Sequence, residues 1–171
     1  MDALELETIV SRIDGYVDAL SSITQCFRRY RACARTAKLD ITRIDESVAD
    51  LFSGYSSGFA EDFPDLDVPV YSFSKAVSVK NWVRRMHDEL EKVLLPNEYK
   101  ESIAEQEALK AINYNLAWQV MEMIRMASND FEAEEVFKLS YKTSDSRNGL
   151  LFVIPTRLEC LTLSFEAEED V

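Results

Sequence analysis

Apolar positions at the start of the chain recur in steps of four and three through Leu6, Val10, Ile13, Val17, Leu20 and Phe27, with Thr24 in the missing slot. That spacing predicts a long first helix carrying a heptad seam. A second register through Ile9, Ile13, Tyr16, Leu20, Ile23, Phe27 and Tyr30 widens the stripe, so the helix must bury a broad face. It can do so against its own domain or against a second copy. Leu6, Val10, Ile13, Val17, Leu20 and Phe27 are accordingly the candidate dimer seam.

Asp40 can cap a second, short helix through Ile41, Ile44, Val48, Leu51 and Phe52 that ends near Ser53-Gly54. Gly54, Gly58, Pro64 and Pro69 then break the period and predict a long loop over about 53–72. A third helix is expected from Ser78 to Leu95 on Val79, Val83, Met86, Leu90 and Val93, stopped by Pro96. Ser102 with Glu105 forms a capping box for a long fourth helix, apolar through Ile103, Leu109, Ile112, Leu116, Val120, Met123 and Ile124 and thickened by Trp118 and Met121.

Beyond Asn129 the period falls to two. Phe137, Leu139, Tyr141 and Thr143 share one strand face, Asn148-Gly149 reads as a turn, and Leu150 to Ile154 reads as a strand buried on both sides. Leu161, Leu163 and Phe165 mark a third strand before an acidic tail at Glu166, Glu168, Glu169 and Asp170. Helices first and strands afterwards argue for an α+β fold. The expectation is an N-terminal bundle of about four helices, the first and fourth long, packed on a C-terminal three-stranded antiparallel meander. It is a single domain over 1–171, with the helical part at about 3–128 and the meander at about 135–166.

A length of 171 residues supports one core, and 47% hydrophobic with 29% charged residues is a globular composition. The net charge of -12 opposes non-specific binding to nucleic acid or anionic lipid and favours a basic partner. The acidic N-terminus is unlike a secretory signal, and the apolar run from Leu150 to Pro155 is far short of the roughly 20 residues that cross a bilayer. Cys26 and Cys33 on one helix would stand about 10 Å apart, beyond disulfide reach, and three scattered thiols fit a reducing, cytoplasmic setting. None of the four glycines belongs to a phosphate-cradling loop, and the single histidine, His87, reads as structural, so no cofactor, metal or catalytic residue is assigned.

Charge is segregated along the chain. Arg28, Arg29, Arg31, Arg35, Lys38 and Arg43 are opposed between Phe27 and Arg43 by Asp40 alone, which makes Arg28, Arg29, Arg31, Arg35 and Lys38 an alternative anion- or nucleic-acid-binding group. The plainer role of these cations is to offset a helix dipole and to pair with the protein's own carboxylates. In the expected loop, Tyr55, Phe59 and Phe63 alternate with Glu61, Asp62, Asp65 and Asp67, a mixture of aromatic anchors and negative charge that suits a basic protein groove. Its plainer role is to fold back over the core. Helix carboxylate pairs, Glu101 with Glu105, Asp88 with Glu91 and Glu132 with Glu135, offer a second alternative, a metal-dependent hydrolase. The reading that draws on most features is a non-enzymatic acidic binder of a basic protein. An inhibitor, immunity protein, chaperone or adaptor would qualify, as a phage or bacterial accessory protein, with a homodimer possible and no membrane.

Overall fold

The structure, a computed structural model, describes residues 2–24, 30–80, 82, 84, 87, 114–115, 118–126, 135–156 and 158–168. Helix α1 (Ala3–Thr24) leads into strand β1 (Tyr30–Ala37), and a single 3-10 turn, Ile41–Arg43, opens helix α2 (Ile44–Asp62). Two short strands follow, β2 (Tyr71–Phe73) and β3 (Val77–Val79), then helical residues at 82, 84, 87, 114–115 and 118–126. The chain closes the sheet with β4 (Val136–Thr143), β5 (Arg147–Pro155) and β6 (Cys160–Glu168).

These strands form one six-stranded antiparallel sheet in the order β1-β6-β5-β4-β2, with β3 also paired to β4. The expected four-helix bundle on a three-stranded meander is therefore replaced by a wider sheet with helices on both of its faces. The meander itself is present as β4, β5 and β6, and what the expectation lacked is the pair of edges added from the N-terminal half.

One edge is β1. Residues 30–37 continue the helical count of α1 numerically, yet they alternate: Ala34 enters the core under α1, while Cys33 and Arg35 point to the opposite face. Eight register pairs with β6, from Tyr30↔Ala167 to Ala37↔Cys160, satisfy the backbone. The carboxylate of Asp14 on α1 accepts a 2.7 Å hydrogen bond from the Ala34 N–H. A half-buried carboxylate acceptor at a sheet edge occupies a donor that would otherwise invite another strand.

The other edge is a single strand with a bulge. Tyr71, Ser72 and Phe73 pair with Thr143, Lys142 and Tyr141, and Ser74 N–H donates to the Ser140 carbonyl at 2.8 Å. Pairing resumes at Val77↔Lys138, so Lys75 and Ala76 together stand opposite Leu139. One extra residue is the definition of a β-bulge, and the freed Ala76 N–H donates to Asp45 Oδ1 of α2 at 2.6 Å. The segment Tyr-Ser-Phe-Ser-Lys-Ala-Val-Ser-Val alternates as a strand should, with a slip of one at the bulge, and that slip hides it from a strict period-two search.

The core lies on both sides of the sheet. On one face Leu6, Val10, Ile13 and Val17 of α1 and Val120, Met121 and Ile124 pack on Phe152, Ile154, Leu161, Leu163 and Phe165. On the other, Ile44, Val48 and Phe52 of α2 pack on Leu139, Tyr141, Leu151, Val153 and Cys160. Residues Leu151 to Ile154 are thus buried from alternate sides, which accounts for an unbroken apolar run in an antiparallel strand. Phe52 is the hub of the second core, with ring centroids 4.9 Å from Tyr71, 5.0 Å from Phe73, 5.5 Å from Tyr55 and 5.7 Å from Tyr141.

Local chemistry fixes the ends. Asp2 and Glu5 exchange reciprocal side-chain-to-backbone hydrogen bonds of 2.9 Å at the start of α1, a capping box. Asp40 caps as expected, accepting from Thr42 N–H at 2.9 Å, although it starts the 3-10 turn rather than α2 itself. The β4–β5 turn is Ser144-Asp145-Ser146, with Ser146 at φ 64, a three-residue hairpin loop whose last residue is left-handed. Asn148-Gly149, expected as that turn, lies inside β5. Glu166 and Glu168, expected in an acidic tail, belong to β6. The expected third helix starts later, since Ser78 and Val79 are in β3 and Trp82, Arg84 and His87 are helical.

Candidate cleft between helix α2 and the sheet

Helix α2 runs through Gly54 and Gly58 to Asp62, so the loop expected at about 53–72 shrinks to residues 63–70. The reason is continuity of the apolar face. Ile44, Val48, Phe52, Tyr55 and Phe59 keep steps of four and three across both glycines, and that stripe outweighs two weak helix formers. Phe63 N–H closes the last turn on the Phe59 carbonyl at 2.9 Å, and Ser56 Oγ donates to the Pro69 carbonyl at 2.7 Å, tying the following segment back to the helix.

The C-terminal half of α2 borders a cleft of about 590 Å3, within the range of small-ligand sites. Gly54, Tyr55, Gly58, Phe59, Asp62 and Phe63 form its wall. Its floor is the β1–β6 part of the sheet: Cys33 and Arg35 from β1, and Thr162, Ser164 and Glu166 from β6. Register explains this grouping, since Cys33 stands opposite Ser164 and Arg35 opposite Thr162.

Arg35 is held in place by two neighbours. Its Nε donates to Cys33 Sγ at 3.1 Å, and its guanidinium carbon lies 5.1 Å from the centre of the Tyr55 ring, a cation–π distance. Among the described residues no carboxylate ion-pairs with Arg35. Glu166 is already engaged: it accepts from the Tyr141 hydroxyl at 2.9 Å and faces Arg147 at 3.6 Å, and Arg147 in turn pairs with Asp145 at 2.8 Å. Burial, reinforced by Glu166, pushes the Tyr141 phenol far above its ordinary range. Burial also raises the Cys33 thiol, outweighing the opposing pull of Arg35. A thiol raised in this way is not an activated nucleophile, and His87 does not line the cleft.

Both glycines are costly in a helix interior, about 1 kcal/mol each against alanine. A β-carbon at either would meet nothing within 4 Å among the described residues, so no packing contact requires their absence.

The residues singled out from sequence divide as follows. Tyr55, Phe59, Asp62 and Phe63 meet at the cleft, whereas Glu61, Asp65 and Asp67 are exposed and outside its lining. Leu6, Val10, Ile13 and Val17 are buried in the chain's own core; Leu20 falls in α1, its side chain outside the described residues, as is Phe27 altogether. Of the basic group, Arg35 lies in the cleft and Lys38 is exposed, 3.8 Å from Glu159. Arg31 takes the register position opposite Glu166, so Arg31 and Arg35 lie on a strand instead of ending a helix, and Arg28 and Arg29 lie outside the described residues. Cys26 is also outside them, and Cys33 is on that strand, so the one-helix spacing inferred for the two does not apply. His87, expected at the margin of a charged helix, is buried, with its ring 4.8 Å from Tyr114 and 4.9 Å from Trp118.

Of the carboxylate pairs only Glu135 is described, and among the described residues no group of three or more His, Cys, Asp or Glu side chains could hold a metal ion. No helix among them is long and apolar enough to cross a membrane. Sequence reasoning missed the floor of the cleft, Cys33, Thr162, Ser164 and Glu166. The available signal was the run of polar positions 162, 164 and 166 alternating with Leu161, Leu163 and Phe165, which marks a strand face left without an apolar cover. No protein-family model matches this chain, and no curated protein matches it.

Proposed function

We propose that the protein is a non-enzymatic binder of a protein with a basic, partly apolar surface, engaged by the C-terminal end of α2 and the segment after it. The observation that carries this reading is the run of carboxylates Glu61, Asp62, Asp65 and Asp67 at and just beyond the C-terminal end of α2. The last turn of α2 contains no basic residue, and its carboxylates add to the negative end of the helix dipole. Among the described residues no lysine or arginine ion-pairs with these four. Phe63 and Leu66, 51% and 57% exposed, stand in the same stretch as apolar anchors. Uncompensated charge steers a basic partner and exposed apolar side chains hold it.

The test compares the wild type with a variant carrying Asp65→Asn, Leu66→Ser and Asp67→Asn, three positions outside the cleft lining. Each is immobilised and challenged with host lysate at low and at moderate salt. The reading expects one basic protein in stoichiometric amount on the wild type, weakened by salt and lost from the variant. Identical eluates from the two proteins would overturn it.

A further inference from the structure

We infer that the cleft between α2 and the β1–β6 floor is a binding site for a small organic monocarboxylate with an apolar body, its carboxylate received by Arg35. Three observations converge. Arg35 is oriented by Cys33 at its Nε and by Tyr55, whose ring centre lies 5.1 Å from the guanidinium carbon, and it presents a planar cation to the cleft that it lines. In a protein of net charge -12 this guanidinium has no ion-paired carboxylate among the described residues, although Glu166 lines the same cleft and is engaged elsewhere.

The second observation is the wall. Tyr55, Phe59 and Phe63 supply aromatic surface in the cleft that Arg35 lines, matching an apolar body rather than a sugar or a polyphosphate. The third is the pair Gly54 and Gly58. They weaken α2, nothing among the described residues packs where their β-carbons would be, and both border the cleft, so what they preserve is open volume in the cleft that Arg35 lines. Asp62 at the rim, followed by Asp65 and Asp67, disfavours ligands of several negative charges, which sets the class at one carboxylate rather than a nucleotide.

The probes are 4-phenylbutyrate, its alcohol 4-phenyl-1-butanol, 4-phenylbutylamine and ATP, titrated into the full chain by calorimetry, with backbone amide shifts read by NMR. The acid is expected to bind and to shift the amides of Arg35, Tyr55, Thr162 and Ser164, with the other three at least about tenfold weaker. Arg35→Met is expected to lose about tenfold for the acid and nothing for the alcohol. Gly58→Leu fills the cleft while favouring the helix, so it abolishes binding without loss of fold. Equal affinity for acid and alcohol would overturn the proposal, as would preference for the amine or ATP, binding that survives Gly58→Leu, or no binding by any probe. None of these outcomes bears on Asp65, Leu66 or Asp67, so the protein-partner reading stands or falls separately.

Discussion

The ring of Tyr141 lies across Gly149, its register partner on β5, so closely that a β-carbon at Gly149 would overlap Tyr141 Cζ. Gly149 is also the register partner of Glu166 on β6, and the absent side chain is what lets the Tyr141 hydroxyl span one strand to reach that carboxylate. Gly149→Ala should therefore cost about 1–3 kcal/mol as an overpacked site. In a Tyr141→Ala background the same change should cost far less. Urea denaturation of the two singles and the double variant gives the coupling, and additive effects would show that the ring does not depend on the glycine.

Alkaline stability follows from the same phenol. Its folded pKa is raised above the unfolded value near 10, so the folded state keeps a proton that the unfolded state releases. The contribution is whole below about pH 10 and is lost as pH rises, at up to about 1.4 kcal/mol per pH unit. Cys33 and Cys160, also raised by burial, add a drop of the same sign that starts from the thiol range. Tyr141→Phe should flatten the limb above pH 10 while lowering neutral-pH stability by about 2 kcal/mol through loss of a hydrogen bond to a carboxylate. A parallel pH profile for the two proteins would count against this assignment.

Removing the hub of the second core tests the packing of α2. Phe52→Ala strips four ring contacts and should cost about 3–5 kcal/mol, measured by denaturant titration. A loss under 1 kcal/mol would mean that α2 does not rest on the sheet through Phe52.

Gly54→Ala and Gly58→Ala should each stabilise the protein, by up to about 1 kcal/mol, because the helix gains propensity and the new methyl meets no neighbour within 4 Å. A lower melting temperature in either would reveal a contact at that position.

The sequence carried the central strands clearly and the edges poorly, and the difference is physical. Strands β4, β5 and β6 bury alternating or continuous apolar side chains, so their period is written in Phe137, Leu139 and Tyr141 and in Leu161, Leu163 and Phe165. Among its described side chains strand β1 buries Ala34 and Ala37, both alanines, and its polar face is the floor of a cleft, so its period is nearly silent. At β2 and β3 the bulge shifts the alternation by one residue. Tyr55, Phe59, Asp62 and Phe63 were legible as a candidate surface from composition. Their position on a helix facing Arg35 was not, because glycines at 54 and 58 imitate a loop.

The pairing of β1 with β6, its one neighbour among the described strands, also dictates when this chain can fold. The strand made near the beginning waits for the strand made almost last, with more than a hundred residues to be synthesised between them. Until Cys160–Glu168 has left the ribosome, the backbone of Tyr30–Ala37 lacks its partner among the described strands, and both the floor of the cleft and the bed under α1 are incomplete. Such long-range closure makes folding slow, and it makes a chain cut off before β6 a candidate for aggregation and degradation rather than for partial activity.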